Sequence, residues 1–282
     1  MYYKLKLLQG KYQRDGLRNV ALSIAKLLVR KMSPLEIRAD LKRRRLGESL
    51  HVDFDGEVRY GSFTGLRLPK KLIWAKNDMS SMLIGFYEKQ VIDWITSRQI
   101  HFLYLVDIGS ADGLYLAGIL KAGLADSAVG FESSRKGRES SNEILRINNV
   151  QDRAIVMGTA NSESLNSVLD LHASRTQGFS LLLCDIEGGE VDLFDSQTAV
   201  RLHNFFIVIE VHEWTYLVNQ LEELINLFQS THDVQFLYPS ARNPDSIPEL
   251  RKLTDDERWN VCSEGRRESM RWLVCTPLSH LK

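Results

Sequence analysis

The stretch FLYLVDIGSADG at residues 102–113 decides the fold of this chain. Its first half is an apolar run typical of a buried strand, and its second half holds Gly109 and Gly113 where the chain must turn into a helix. Small residues in such a turn let a ligand approach the backbone closely. Because open parallel sheets bind ligands at the carboxyl ends of their strands, the sequence predicts a binding site at this turn.

Apolar runs alternate with segments of helical periodicity from residue 101 onward. This alternation is typical of a sheet covered by helices on both faces, so we predict a Rossmann-like, doubly wound α/β fold with a mainly parallel, seven-stranded sheet. The predicted strands are 102–107, 128–132, 153–157, 180–185, 205–211, 233–238 and 270–276. The predicted helices between them are 114–122, 136–147, 161–171, 189–196 and 215–229.

The first 79 residues are predicted to form an N-terminal extension, 1–79. It contains an amphipathic helix over 17–32, a second helix over 34–45 that ends in a basic cluster, and a hairpin within 51–68 around the Asp-Gly pair. We expect the extension to cover the pocket as a lid or to form a homodimer contact. The basic face of the first helix leaves a membrane-surface role open.

The rest of the chain, residues 80–282, is predicted to be the main domain. A helix over 80–98 leads into the sheet. The polar stretch 239–268 is too long for a hairpin loop between the last two strands. We therefore expect it to be an insertion that helps to shape a substrate pocket.

The composition excludes several classes of partner. Lysine plus arginine and aspartate plus glutamate each number 36, so no overall positive field attracts nucleic acid, and a small or neutral partner is favoured. The three cysteines form no CxxC pair, which favours a reducing compartment. No stretch reaches the roughly 18 apolar residues that a membrane span requires, and the start does not read as a secretory signal. We expect a cytoplasmic protein.

A second ligand-binding signal is Glu132, which ends the predicted strand after the turn. A carboxylate about twenty residues beyond such a turn can hold both hydroxyls of a ribose, which indicates a nucleoside cofactor; otherwise it is a surface carboxylate. NAD and S-adenosylmethionine both carry a ribose. Gly109, Ala111 and Gly113 are spaced by two, whereas the dinucleotide fingerprint is G-x-G-x-x-G.

The turn resembles motif I of the class I S-adenosylmethionine-dependent methyltransferases, with Ala111 in place of the usual middle glycine. LLLCDIEGGE at 181–190 resembles the D-x-E-G-x-E motif of the FkbM-type methyltransferases. IVIEVHE at 207–213 and GFYE at 85–88 are similar to further stretches of that family. The resemblance extends over roughly residues 80–275.

This resemblance implies that S-adenosyl-L-methionine is the cofactor and that a sugar or another small molecule is O-methylated. Asp107 would bind the methionine amino group or order the loop, and Glu132 would bind the ribose. The loop backbone would face the cofactor, and the residues after the third strand would lie beside the adenine. The candidate cofactor-binding residues are Asp107, Gly109, Ser110, Ala111, Gly113, Glu132, Thr159 and Ala160.

Four candidate catalytic residues match the family motifs at the ends of the fourth and fifth strands: Asp185, Glu187, Glu210 and His212. Methyl transfer to a hydroxyl requires loss of its proton, and histidine is largely neutral at pH 7, so His212 is the candidate general base. A structural hydrogen bond at a strand end is the alternative. Asp185, Glu210 and His212 could instead hold a divalent ion such as magnesium if the acceptor were a chelating diol.

Candidate substrate contacts precede the last strand at Arg266, Arg267 and Trp272. Arginine pairs with carboxylate or phosphate and tryptophan stacks on a sugar face, so a uronic acid, a phosphosugar or an anionic glycan would suit them. A solvated strand end is the alternative. Two other functions stay open at this point, an NAD-dependent oxidoreductase and a non-catalytic methyltransferase-like binding scaffold.

Overall fold

The computed structural model describes residues 34–172, 178–266 and 269–281. Its strands are β1 (Phe102–Ile108), β2 (Ala125–Phe131), β3 (Ala154–Met157), β4 (Ser180–Cys184), β5 (Phe205–Glu210), β6 (His232–Leu237) and β7 (Trp272–Pro277). They form one sheet in the order β3-β2-β1-β4-β5-β7-β6. β7 is antiparallel to both of its neighbours, and the other pairs are parallel. The predicted mainly parallel, seven-stranded Rossmann-like fold is confirmed.

The sheet is buried on both faces, which is why its strands are almost uniformly apolar. Successive residues of a strand point to opposite faces. Leu105 of β1 and Leu181 of β4 accordingly belong to one hydrophobic cluster, while their neighbours Val106 and Leu182 belong to another.

Ten α-helices surround the sheet in the described part of the chain. They are α1 (Pro34–Asp53), α2 (Met79–Leu83), α3 (Lys89–Ser97), α4 (Leu114–Lys121), α5 (Arg135–Ile147), α6 (Ser162–His172), α7 (Glu190–Leu193), α8 (Ser196–Arg201), α9 (Gln220–Gln229) and α10 (Asp255–Cys262). None of these helices combines the length and the apolar character needed to cross a lipid bilayer.

Three predicted helices differ in the structure: two are interrupted and one begins later. The helix predicted over 80–98 divides into α2 and α3 at Gly85, where φ is +68° and an added Cβ would lie 2.1 Å from the carbonyl oxygen of Tyr60. The helix predicted over 189–196 divides into α7 and α8, and Asp195 caps α8 by accepting a 2.7 Å bond from the N–H of Thr198. The helix predicted over 215–229 begins only at Gln220, after a short 3₁₀ turn at Glu213–Thr215.

The N-terminal extension differs from its prediction in two ways. α1 continues past Arg45 to Asp53, and the absence of a side chain at Gly47 allows the helix to pack closely on Met79. The predicted hairpin is wrong: within the described residues the segment forms turns and a single bridge between Glu57 and Arg67. Its apolar side chains Phe54, Val58, Phe63, Leu66 and Leu68 join the core on one face of the sheet. The amphipathic helix predicted over 17–32 lies outside the described residues.

The insertion at 239–268 is largely ordered in short elements. It contains 3₁₀ turns at Pro244–Ser246 and Pro248–Lys252, followed by α10. The side chain of Thr254 and that of Glu257 form a capping box at the start of α10. α10 packs on α1 and α2, so the insertion joins the N-terminal extension beside the sheet.

Candidate active site

A cavity of about 790 Å³ opens at the carboxyl ends of β1, β2 and β4; we call it the main cavity. The strands end there together because they are parallel, which brings separate sequence motifs to one edge. Seven of the predicted site residues line it: Gly109, Ala111, Glu132, Thr159, Ala160, Asp185 and Glu187.

Glu132 connects the turn after β1 to the end of β2. Its Oε2 accepts a 3.1 Å hydrogen bond from the N–H of Ala111, and its Oε1 accepts a 2.7 Å bond from the N–H of Ser134. A carboxylate offers about four lone-pair sites, so two acceptor sites stay available for the hydroxyls of a ribose in the main cavity.

The turn itself depends on left-handed backbone positions. Gly109 has φ +88°, and a Cβ there would lie 1.9 Å from the carbonyl oxygen of Asp185. Ala111 has φ +49°, a conformation that costs a non-glycine residue about 1–2 kcal/mol. Gly113 has φ +85° but lines neither the main cavity nor the inner cavity described below, because it packs against Ser141 and Ile144 of α5. Gly113 therefore has a helix-packing role in this structure, and its cofactor contact stays a prediction.

Asp112 organises the wall of the site, a role that the sequence did not reveal. Its carboxylate accepts hydrogen bonds from the N–H groups of Ile73, Trp74 and Ala75 at 2.8–2.9 Å and from the hydroxyl of Ser140 at 2.6 Å. The indole of Trp74, 55% exposed, thereby lines the main cavity. Neither periodicity nor motif spacing distinguishes an aspartate that binds a distant backbone segment.

A smaller space of about 80 Å³, the inner cavity, lies beneath the turn. Asp107 lines it, is only 4% exposed, and has no hydrogen-bond partner for Oδ2. Burial, together with the charges of Glu88 and Glu132, raises the pKa of Asp107 to about 7. The hydroxyl of Ser110 is likewise buried without a partner. An unpaired carboxylate at this place fits the ammonium group of a methionine moiety.

His212 lies behind the carboxylates of the main cavity rather than on its wall. Its Nδ1 is 3.0 Å from Oε1 of the fully buried Glu190. Its Nε2 is 3.5 Å from Oδ1 of Asp185 and 3.7 Å from Oε2 of Glu187. Burial lowers the pKa of His212, but the hydrogen bond to Glu190 and the charges of Glu190, Glu210 and Glu187 outweigh it and raise the pKa above 6.5.

Asp185 faces both cavities and is hydrogen-bonded to Glu210. The side chain of Asp185 is 48% exposed. Partial desolvation among the neighbouring carboxylates raises its pKa, against the opposing effect of that hydrogen bond. Burial and the charge of Asp185 raise the pKa of Glu210 well above its usual value. The two shifts favour a proton on Glu210 over one on Asp185, and Asp185 is the member of the pair that lines the main cavity.

The predicted metal-ligand set is not the one that the structure assembles. Among the described residues, ligand atoms of Asp185, Glu190 and His212 lie within 4.8 Å of one another. Glu210 is not part of this group, and its carboxylate pairs with Arg266. Glu190 lies at the end of the stretch 181–190, which resembles the FkbM-type motif, but the sequence predicts no role for it.

The predicted anion-binding residues are already engaged. The guanidinium of Arg266 pairs with Glu88, with Glu210 and, at 2.6 Å, with Glu264. Trp272 is buried, and the guanidinium of Arg266 lies 5.4 Å from its ring. Arg266 is therefore engaged by internal carboxylates, and binding of an anionic acceptor by these residues stays a prediction. Arg267 lies outside the described residues.

Comparison with known proteins finds similarity to solved structures only. No family model matches the sequence, and no curated protein matches it. A methyltransferase FkbM from Methylobacillus flagellatus KT is 14% identical, the match covering 62% of this chain and 44% of that chain, with a TM-score of 0.43.

Two further structures show the same level of similarity. A SAM-dependent methyltransferase from Geobacter sulfurreducens, solved with S-adenosyl-L-homocysteine, is 14% identical over 67% of this chain and 89% of that chain, with a TM-score of 0.42. The M1A22 tRNA methyltransferase of B. subtilis is 10% identical over 65% and 64%, with a TM-score of 0.40. Similarities this low carry no activity over to this chain.

Proposed function

We propose that this protein is an S-adenosylmethionine-dependent O-methyltransferase of the FkbM type that acts on a neutral, hydroxylated small molecule such as a sugar. The observation that carries the proposal is the position of Glu132, which is bound to the turn after β1 and lines the main cavity. This is where a nucleoside ribose binds in sheets of this kind.

The remaining cofactor contacts follow from the two cavities. Asp107 and Ser110 have unpaired buried atoms in the inner cavity, which suit the methionine end. Thr159 and Ala160 line the main cavity beyond β3, beside Glu132, which suits the adenine. Asp185 lines both cavities and therefore lies between the two ends.

Bound S-adenosylmethionine would supply an electrophilic methyl group. The protein must hold the acceptor hydroxyl in line with that group and remove its proton as the new bond forms. Asp185 is the carboxylate that lines the cavity, its pKa is raised above the usual value, and His212 lies directly behind it. We assign proton removal to this pair, with Asp185 facing the acceptor.

The charge of the cavities favours a neutral acceptor. The main cavity is lined by five carboxylates, and no lysine or arginine lines it or the inner cavity among the described residues. A phosphate, a uronate or a nucleic acid backbone would meet repulsion there. The carboxylates of the main cavity are Asp78, Glu132, Asp185, Glu187 and Asp192.

The first test is calorimetric titration of the protein with S-adenosylhomocysteine, with NADH titrated in parallel. Micromolar binding of S-adenosylhomocysteine that Glu132→Ala loses, without loss of folding, supports the cofactor assignment. Glu139→Ala, which removes an exposed carboxylate of α5, is the matched control. Tight binding of NADH alone would replace the proposal by a nicotinamide-dependent oxidoreductase.

Turnover is tested next with methyl glycosides, by following release of S-adenosylhomocysteine. Cofactor binding without product from any hydroxylated acceptor would favour a binding scaffold.

The three cysteines are buried free thiols, and we place the protein in the reducing cytoplasm on that ground.

A further inference from the structure

A third space, of about 420 Å³, lies at the same sheet edge beyond β7; we call it the outer cavity. Its walls come from the start of α3, the segment after β6, the end of α10 and the start of β7. Trp272 lines both the inner and the outer cavity. Arg266 lines the outer cavity and pairs with Glu210, which lines the inner one. The outer cavity therefore adjoins the candidate active site through a shared wall.

Gln90 is the unexplained residue of this cavity. Its side chain belongs to α3, is 5% exposed and lines the outer cavity. Neither Nε2 nor Oε1 has a hydrogen-bond partner. A buried carboxamide with both atoms unpaired destabilises a folded protein, and an apolar side chain of the same size would avoid that cost. The arrangement is explained if a ligand supplies both an acceptor and a donor.

Two neighbours indicate the chemistry of that ligand. Trp259 of α10 lines the outer cavity with a ring that is 55% exposed, a flat apolar surface open to a ligand. Arg242 is paired with Glu264 and with the carbonyl of Cys262, yet its buried Nε has no partner. Because the charges of Arg242 and Arg266 are balanced by carboxylates, the cavity suits a neutral ligand rich in hydroxyl groups.

We propose that the outer cavity binds a neutral sugar ring, stacked on Trp259 and hydrogen-bonded to the carboxamide of Gln90. Adjacent ring hydroxyls can accept from Nε2 and donate to Oε1 at the same time. The role of this ring as the distal unit of a glycan acceptor rests on the proposed function. The binding of a sugar ring in the outer cavity does not depend on that function.

The probes are the methyl glycosides of glucose, galactose and N-acetylglucosamine, added to ¹⁵N-labelled protein. The indole N–H signal of Trp259 is assigned with Trp259→Phe and followed by NMR. We expect a saturable shift with a dissociation constant of about 1 mM, the affinity usual for a ligand of this size. Absence of a saturable shift with all three glycosides would overturn the proposal.

Gln90→Met separates a ligand-binding role from a structural one. If Gln90 serves a ligand, the variant keeps or raises the melting temperature and binds the glycoside at least about tenfold more weakly, as loss of a buried hydrogen-bonding partner does. Gln229→Met, at an exposed position in α9, is the matched control and leaves both properties unchanged. A lower melting temperature with unchanged glycoside affinity would show that the role of Gln90 is structural.

Trp259→Ala gives a second variant with little risk to folding, since its ring is largely exposed. It is expected to abolish binding, detected by saturation transfer to the glycoside. Unchanged saturation transfer would place the sugar elsewhere and overturn the proposal.

Titration with S-adenosylhomocysteine separates this proposal from the proposed function. Its binding is followed by the indole N–H signal of Trp74, which lines the main cavity. A glycoside shift at Trp259 without cofactor binding supports the outer site and contradicts the methyltransferase assignment. Cofactor binding without any glycoside shift at Trp259 supports the methyltransferase assignment and contradicts the outer site.

Discussion

Nδ1 of His212 lies 3.0 Å from Oε1 of Glu190, a carboxylate with no solvent exposure. Glu190 also accepts hydrogen bonds from the N–H of Ile186 at 3.2 Å and from the hydroxyl of Tyr216 at 3.4 Å. These bonds fix the carboxylate, which in turn fixes the imidazole. Nδ1 is therefore the protonated nitrogen, and Nε2 is directed at Asp185 and Glu187.

Glu190→Gln is expected to lower the pKa of His212 toward 6.5 and to reduce the pH dependence of folding. A histidine whose pKa is raised on folding stabilises the protein fully below pH 6.5, and this contribution is lost as the pH rises through the folded-state pKa. The difference in unfolding free energy between wild type and variant should therefore shrink as the pH rises. Urea unfolding at several pH values measures it, and a pH-independent difference would contradict the assignment.

His212→Ala is expected to lower turnover by about two to four orders of magnitude, as loss of a general base does, and to leave the affinity for S-adenosylhomocysteine nearly unchanged. Asp185→Asn should cause a loss of similar size, because the two residues act as one unit. His203→Ala, at an exposed histidine, is the control. Normal turnover by Asp185→Asn together with an inactive His212→Ala would mean that His212 acts on the acceptor directly.

Chelation with EDTA is expected to leave turnover unchanged, because the imidazole and its carboxylate partners satisfy one another through hydrogen bonds and charge. Asp185, Glu190 and His212 nevertheless have ligand atoms within 4.8 Å of one another, a spacing that could hold a metal ion. Activity that is lost on chelation and recovered with magnesium would show that these ligands hold an ion.

Asp112→Ala should destabilise the protein by about 2–4 kcal/mol, since it leaves three backbone N–H groups and one hydroxyl without their charged acceptor. It should also weaken binding of S-adenosylhomocysteine, because the wall carrying Trp74 is released. Denaturant unfolding and calorimetry measure the two effects. Asp152→Ala, at an exposed aspartate, is the control.

Ala111→Val should destabilise the protein by about 1–3 kcal/mol, because a β-branched residue tolerates φ near +49° poorly. Ala111→Gly should stay within about 1 kcal/mol of wild type, since relief of backbone strain is offset by the greater freedom of glycine in the unfolded chain. Equal stability of all three proteins would mean that the turn adopts another conformation in solution.

The sequence was sufficient for the sheet and for the position of Glu132 at the main cavity, because both depend on local patterns. An apolar run that ends in Gly109 predicts β1, and a carboxylate at the end of the next strand predicts Glu132. The same local patterns do not predict features that depend on contacts between residues distant in sequence. Gly85 breaks a helix because Tyr60 approaches it, and Arg266 is engaged by carboxylates that are distant in sequence. No periodicity encodes such pairs.

Asp112 links three segments around the pocket, so they are expected to open together. A single carboxylate holds residues 73–75 of one segment and Ser140 of α5 while it belongs to the turn after β1. None of these pieces can separate from the others without leaving buried donors unpaired. Their amide protons should therefore exchange with solvent at a common rate, as one cooperative unit, so that the pocket is either assembled or open across all three segments.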